Sequence, residues 1–438
     1  MTRSGGSGLT RSGGSGLTLA KLAVAVALPC LILGCGPARD DEIVIRFPGS
    51  AVGAEGELLA RQLEGFMAEH PGIRVERRAT PDASDQRHQL YVQWLNAGVG
   101  DPDILQLDVI WTAEFAAAGW ILSLDGFDPD TADFLPGPLA ASRYRGRLHA
   151  LPWFVDVGLL YWRTDLLEEP PSSFADMEEV VARAARQAGL PYAFVWQGAR
   201  YEGLVTVFLE FLGGHGGQIL DDRGAVRVDS EAAVRALSVM KQSIDDGRVP
   251  RAVLGWQEEQ VRFAFQNGKA VLMRNWPYAY PLLQRGAESK VAGHFAVAPM
   301  PAAPSGEPTA ALGGSLLAIN ARSRHPEAAW AVVDYLTRPA QMLDRAEQAG
   351  QYPPRLSLYR EGSALQGHLA IPLAEIRQVI GRARARPVTP VSSELSGLLQ
   401  VRLHEALSGQ RDPAEALSLA AGEMRELLAR KQLGPGSA

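Results

Sequence analysis

The sequence predicts an α/β fold organised as two lobes, and three observations lead to it. Strand-like and helix-like segments alternate from Ile43 onward. No long flexible stretch divides the chain into independent beads. Its 438 residues exceed the ~100–200 residues of a typical single domain.

Ile43–Phe47 has the apolar pattern of a buried strand. Glu57–His70 sets Leu59, Leu63, Phe66 and Met67 at helical spacing, and Pro71-Gly72 stops it. Ile73–Arg78 returns to strand alternation, Gln86–Ala97 is a helix, and Ile104–Leu107 is a buried strand after an Asp-Pro-Asp turn. This order predicts a largely parallel sheet covered by helices on both faces. A second set of units follows. Leu148–Pro152 is extended, Ser173–Ala188 and Glu202–Gly213 are helices, and Ser230–Gly247 is a helix with Ser230 as its cap. Glu258–Asn267 is a helix closed by Gly268, and Ala270–Met273, Phe295–Met300 and Leu316–Ile319 are strands. Pro301–Pro308 is a loop or a crossing between lobes. Pro326–Leu336 is a helix with Pro in its first turn, and the C-terminal third is helical.

The first 35 residues are different material. TRSGGSGL stands twice in succession over residues 2–17, a tract that cannot build a core. After Lys21, the apolar run Leu22–Leu33 ends in Gly34-Cys35. It is too short to span a bilayer, which takes ~20 residues, and has the layout of an export signal. Ile32-Leu33-Gly34-Cys35 resembles a bacterial lipobox, which implies a lipid on Cys35. A plain signal peptide with an incidental cysteine is the alternative. The long n-region suggests a translation start downstream of Met1. Cys30 and Cys35 are the only cysteines, so the mature chain is expected to hold no disulfide.

Hydrophobic residues make up 46% and charged residues 21%, ordinary values for a folded soluble chain. A net charge of −6 argues against nucleic acid as a partner. The eight histidines include no zinc-peptidase pair, and neither a G-x-S-x-G elbow nor a phosphate-binding loop is present. No catalytic residue, cofactor or metal is predicted. Gly213-Gly214-His215-Gly216-Gly217 reads as a surface turn.

What stands out is acids and aromatics near strand ends. Asp108 closes Leu105-Gln106-Leu107 just before Trp111, where an open α/β sheet holds its ligands. Trp153-Phe154-Val155-Asp156 repeats the theme, and Arg274-Asn275-Trp276-Pro277-Tyr278 adds two aromatics. A pyranose offers an apolar face to an aromatic ring and a rim of hydroxyls to carboxylates and Arg. Each feature alone also fits a core aromatic or a helix-capping Asp.

Taken together, in order and spacing, these segments resemble the extracellular solute-binding proteins of ABC importers, in their trehalose/maltose-binding branch. Asp101–Trp111, Ala150–Leu166, Phe194–Gly198 with Tyr201–Leu204, Arg274–Tyr278, Leu312–Gly314 and Arg386–Pro390 carry the likeness. It implies a two-lobed periplasmic-binding-protein-like fold with a hinge and a ligand cleft between lobes. The implied layout is a signal peptide over 1–34, a tether over 35–42, an N-terminal lobe over 43–150 and 310–345, and a C-terminal lobe over 151–309 and 346–438. By position, the resemblance makes Glu55, Asp82, Arg87, Asp108 and Asp156 ligand contacts. Phe154, Trp276 and Tyr278 would stack or hydrogen-bond, Gly313 and Gly314 would let the backbone approach, and Arg386 would reach in from the C-terminal segment. The family usually has Trp where this chain has Ser315, and Tyr where it has Phe154.

The implied function is lipid-anchored capture of a trehalose- or maltose-like sugar outside the cytoplasm by a monomer, and its delivery to an ABC permease, without chemical change. Two alternatives stay open: the same fold binding another polar solute, and a secreted glycosidase using Asp108 and Asp156.

Overall fold

The computed structural model describes residues 42–49, 53–304 and 306–433. The signal segment, Cys35 and all of the tether but Glu42 lie outside the described residues.

The chain enters through strand β1 (Ile43–Gly49), helix α1 (Glu55–Glu69) and strand β2 (Ile73–Ala79). β1 and β2 pair in parallel with Ile43 opposite Ile73. Helix α2 (Ser84–Asn96) and strand β3 (Ile104–Asp108) follow. β3 lies beside β1, where the Asp103 N–H donates to the Arg46 carbonyl at 3.0 Å.

The next extended stretch is longer than the apolar pattern suggested. Strand β4 (Leu151–Val157) passes through Gly158 straight into strand β5 (Leu159–Arg163). β4 belongs to one sheet and β5 to another. Strand β6 (Tyr192–Val195), helices α3 (Glu202–Gly214), α4 (Glu231–Asp245) and α5 (Glu258–Gln266), and strands β7 (Ala270–Asn275) and β8 (Phe295–Ala298) build the second set. Strand β9 (Leu312–Ile319) then returns to the first sheet. Helices α6 (Pro326–Leu336), α7 (Pro339–Ala349), α8 (Leu373–Arg382), α9 (Ser392–Leu407) and α10 (Pro413–Arg430) complete the chain.

Two main sheets result, ordered β3-β9-β4 and β8-β5-β7-β6. Their pairings correct the expectation of a largely parallel sheet. β9 runs antiparallel to both β3 and β4, and β5 antiparallel to both β8 and β7, while β6–β7 and β1–β2 are parallel. The reason is the crossings. A helix between two strands implies a parallel return only if both strands join the same sheet, and β4–β5 and β9 carry the chain between sheets. β4, counted to the second lobe from sequence, pairs in the first sheet.

Local signals mark some of the element ends. Ser173 and Asp176 form a reciprocal capping box at the start of the helical run from Phe174 to Gln187. Ser230 Oγ accepts from Ala233 N at 3.3 Å, as its capping pattern predicts. The glycine-dense stretch is only partly the surface turn expected: Gly213 and Gly214 are the buried last turn of α3, where a side chain would run into Thr309 and Phe174, and His215 and the exposed Gly216 form the turn after it.

Apolar packing is organised around the sheets. Phe47, Leu59, Phe66, Trp153 and Val332 form one core beside the first sheet, and Tyr91, Leu107, Trp111 and Phe115 a second. A third joins α3, α4, α9 and α10 through Phe208, Leu237, Leu403 and Met424. A fourth, with Val157, Tyr161, Phe265 and Tyr352, lies along the crossing strands. Trp111 and Trp153 are both core residues, at 3% and 0% exposed, so neither offers a face to ligand. Among the described residues, no helix is long and apolar enough to cross a membrane.

Candidate functional site

A cavity of about 260 Å³ opens between the two main sheets, and all eleven residues singled out from sequence line it.

On the first-sheet side, Glu55 is the first residue of α1 and is buried. Its Oε1 accepts from Gln106 Nε2 at 3.1 Å and from Arg345 Nη2 at 3.2 Å. Asp82 lies just before α2, and its carbonyl, with that of Pro81, holds Nη1 of Arg87 at 3.3 and 3.2 Å. The Arg87 guanidinium lies 5.6 Å from the centre of the Trp111 ring. Phe154 and Asp156, two apart on β4, face the same way because strand side chains alternate. Asp156 sits opposite Gly313 in the ladder. A Cβ on Gly313 would come within 3.2 Å of Trp276 and 3.4 Å of Asp156, so a bare backbone keeps the indole and the carboxylate side by side. Gly314 has φ +115°, a conformation open only to glycine here, and a side chain on it would strike the Phe154 carbonyl.

Asp108 ends β3, and its two oxygens meet Arg386 at 2.7 and 3.4 Å. Arg386 also donates to Glu202 at 2.7 Å. Both carboxylates therefore hold one guanidinium, which bridges the end of β3 to the start of α3. Arg386 does reach in from the C-terminal segment, as the resemblance implies, but its two terminal nitrogens are already shared between two acids. Burial works against its charge, yet Asp108 and Glu202 outweigh that and raise its pKa.

On the opposite wall, Trp276 follows β7. Its indole N–H approaches Glu258 Oε1 at 3.4 Å, and the guanidinium carbon of Arg274 lies 3.9 Å from its ring centre. Arg274 is itself fully buried and forked onto Glu210, with Nε to Oε2 at 2.8 Å. Tyr278 donates its hydroxyl to Glu259 at 2.7 Å. That leaves its ring, more than its hydroxyl, for a ligand.

Sequence reading missed part of the wall. Gln106, Glu202, Thr206, Glu258, Glu259 and Gln351 line the cavity, as does Tyr201, which is 5% exposed and whose hydroxyl lies by the Glu258 carboxylate. Two of them begin helices that open onto the cavity, Glu202 in α3 and Glu258 in α5. A helix-start signal after an aromatic segment was the available clue. Ser315 also faces the cavity, and its Oγ accepts from Gln106 at 3.1 Å. The position that would carry a stacking ring is thus part of a polar floor of Glu55, Gln106 and Ser315.

Burial sets the electrostatics. It pushes the Asp156 carboxyl up to about 7, Glu55 adds to the rise, and the guanidiniums of Arg274 and Arg345 pull the other way. Asp156 Oδ1 is buried without a partner among the described residues. Burial also raises the Glu258 and Glu202 carboxyls, against the Arg386 charge in the second case. Among the described residues no cluster of His, Cys, Asp or Glu could hold a metal ion.

Two sheets on either side of a cavity walled by acids, amides and aromatics define a two-lobed α/β binding protein. Residues 51–343 match the model of the bacterial extracellular solute-binding protein family. The chain belongs to that family. A probable ABC transporter-binding protein of Deinococcus radiodurans is 33% identical over 377 residues, covering 83% of this chain and 89% of that one. Among solved structures, maltose-bound MalE3 of T. maritima matches with 40% identity and a TM-score of 0.84, over 88% of this chain and all of that one. The GacH receptor of Streptomyces glaucescens, solved unliganded and with acarbose, is 28% identical with a TM-score of 0.79, over 88% of this chain and 98% of that one.

Proposed function

We propose that this chain is the sugar-capturing subunit of an ABC importer, binding a disaccharide or short oligosaccharide of the maltose or trehalose type between its lobes. The observation that carries this reading is the convergence of Asp82, Asp156, Glu258, Trp276 and Tyr278 on one cavity between two sheets. Carboxylates accept from sugar hydroxyls, and such charged hydrogen bonds are worth about 1.5–3 kcal/mol each. The indole of Trp276 offers the apolar face that a pyranose ring needs. The maltose-bound and acarbose-bound relatives support a glucoside as ligand.

The proposed lobes are residues 43–150 with 310–345, and 151–309 with 346–438, except that β4 goes with the first lobe, whose sheet it joins, so that the chain crosses at Gly158 between β4 and β5. A ligand touching both walls would favour the closed arrangement, a hinge-type population shift. Export by the N-terminal signal, a lipid on Cys35 and docking on a permease complete the reading. It assigns no turnover: both oxygens of Asp108 are taken by Arg386, so Asp108 is not free to serve as the base or nucleophile of a glycosidase pair with Asp156.

The test is calorimetric titration of the purified protein with maltose, maltotriose, trehalose and sucrose. One of them should bind with 1:1 stoichiometry. No heat with any of the four would sink the sugar assignment.

Asp156 makes binding depend on pH. Its carboxyl titrates near 7 in the free protein, above the ordinary 3.8, and it accepts a hydroxyl best when ionised. Affinity should therefore rise as pH goes from 6 to 8, with proton release on binding, and Asp156→Asn should flatten that rise. Stability of the free protein runs the other way. The folded chain holds a proton that the unfolded chain has released, so this contribution is complete below pH ~4 and is lost as pH rises through 7. A pH-independent affinity in the wild type would remove Asp156 from the site.

A further inference from the structure

Arg345 lies outside every segment that the sequence singled out. It is on the buried face of α7, wholly inaccessible, and does not itself line the cavity. Its guanidinium nevertheless touches much of the first-lobe wall from behind. Nη2 donates to Glu55 at 3.2 Å and also to Gln351, and Nη1 donates to Gln62 at 3.2 Å. The planar group lies 3.8 Å from the centre of the Trp153 ring and 5.2 Å from that of Phe154. Glu55, Gln351 and Phe154 all face the ligand space. Through Glu55 the contact extends further, because Gln106 donates to both Glu55 and Ser315 at 3.1 Å.

A buried guanidinium is costly unless it is paired and hydrogen-bonded. Here one carboxylate, two side-chain amides and an aromatic face supply that compensation, and nearly all of them belong to or support the cleft wall. An apolar residue on α7 would fill the space without that demand.

We infer that Arg345 is a positioning residue for ligand recognition, a buried cation that fixes Glu55, Gln351 and Phe154 in the cleft wall. The inference rests on the sugar-binding reading for its affinity readout but not for its electrostatic one. Burial lowers the Arg345 pKa to about 10, so the group stays charged at neutral pH. Its charge acts on Asp156 alongside that of Arg274, opposed by Glu55 and Asp108. Lysine cannot replace it, because one ammonium neither forks onto two oxygens in a plane nor stacks flat on an indole.

Two variants of the full chain separate fork from charge. Arg345→Lys keeps the cation and loses the fork and the stack. It should bind the glucoside identified by titration at least tenfold more weakly, with the Asp156 carboxyl titrating as in wild type. Arg345→Met removes the charge. Its Asp156 carboxyl, followed by 13C NMR in the ligand-free protein and assigned with Asp156→Asn, should titrate at higher pH by roughly half a unit or more. A residue that merely fills the core would not move that titration. An Arg345→Lys chain that binds as tightly as wild type, or an Arg345→Met chain whose Asp156 titrates unchanged, overturns the inference. Should Arg345→Met fail to fold, Arg345→Lys decides alone. Should the wild type bind no glucoside, the sugar reading falls and the carboxyl titration still decides.

Discussion

Trp276→Ala is expected to weaken glucoside binding at least tenfold while the protein keeps its fold. The indole is held from two sides, with Arg274 3.9 Å behind its ring and Glu258 taking its N–H, and Gly313 leaves room at its edge. Only the remaining face can meet a ligand. Truncation removes that apolar platform and leaves Glu258 without its indole donor. Loss of about 1.4 kcal/mol already equals a tenfold change in affinity, and an aromatic contact is worth ~0.5–1.5 kcal/mol beyond the area it buries. Arg274 keeps Glu210, so no charge is orphaned. Calorimetric titration with the wild-type ligand checks the affinity, and thermal melting checks the fold. Equal affinity in the variant would mean that this wall is not the ligand's platform.

The second large effect is on stability. Glu210→Ala should lower the free energy of unfolding by about 3–5 kcal/mol, the usual cost of orphaning one member of a buried ion pair. Neither Glu210 nor Arg274 is accessible to solvent. Glu210 also accepts from the Ala311 N–H at 3.2 Å, and Arg274 donates to Gln197 at 3.3 Å, so the pair ties α3 and β7 to the segment after β6 and to the residue before β9. Gly158 makes room for it at the crossing, since any side chain there would overlap Glu210. Because Arg274 supports Trp276, the variant should also bind ligand less well. Urea unfolding measures the first effect. A loss under 1 kcal/mol would show that the pair contributes little beyond what packing supplies.

The pattern of acids and aromatics at strand ends was legible because it is local. Asp108 and Asp156 follow apolar runs, and Trp276 follows a strand by one residue, so short windows of sequence expose them. Strand direction was not legible. It depends on which sheet β5 and β9 join, and no window contains that choice. Arg345 was hidden for a related reason. It stands 290 residues from Glu55, amid a helical pattern whose apolar spacing gives no sign that a cation points inward. Glu210 was concealed similarly, as the one acid beyond the first residue of a largely apolar helix. Arg386 was visible, but its division between Asp108 and Glu202 needed the lobes brought together.

The most direct measurement is titration calorimetry of the purified chain with maltose, maltotriose, trehalose and sucrose, with each mixture assayed afterwards for free glucose. The account predicts saturable 1:1 binding of at least one of them, affinity rising from pH 6 to pH 8, and no glucose released. Absence of binding to all four, or glucose accumulating with time, would contradict it.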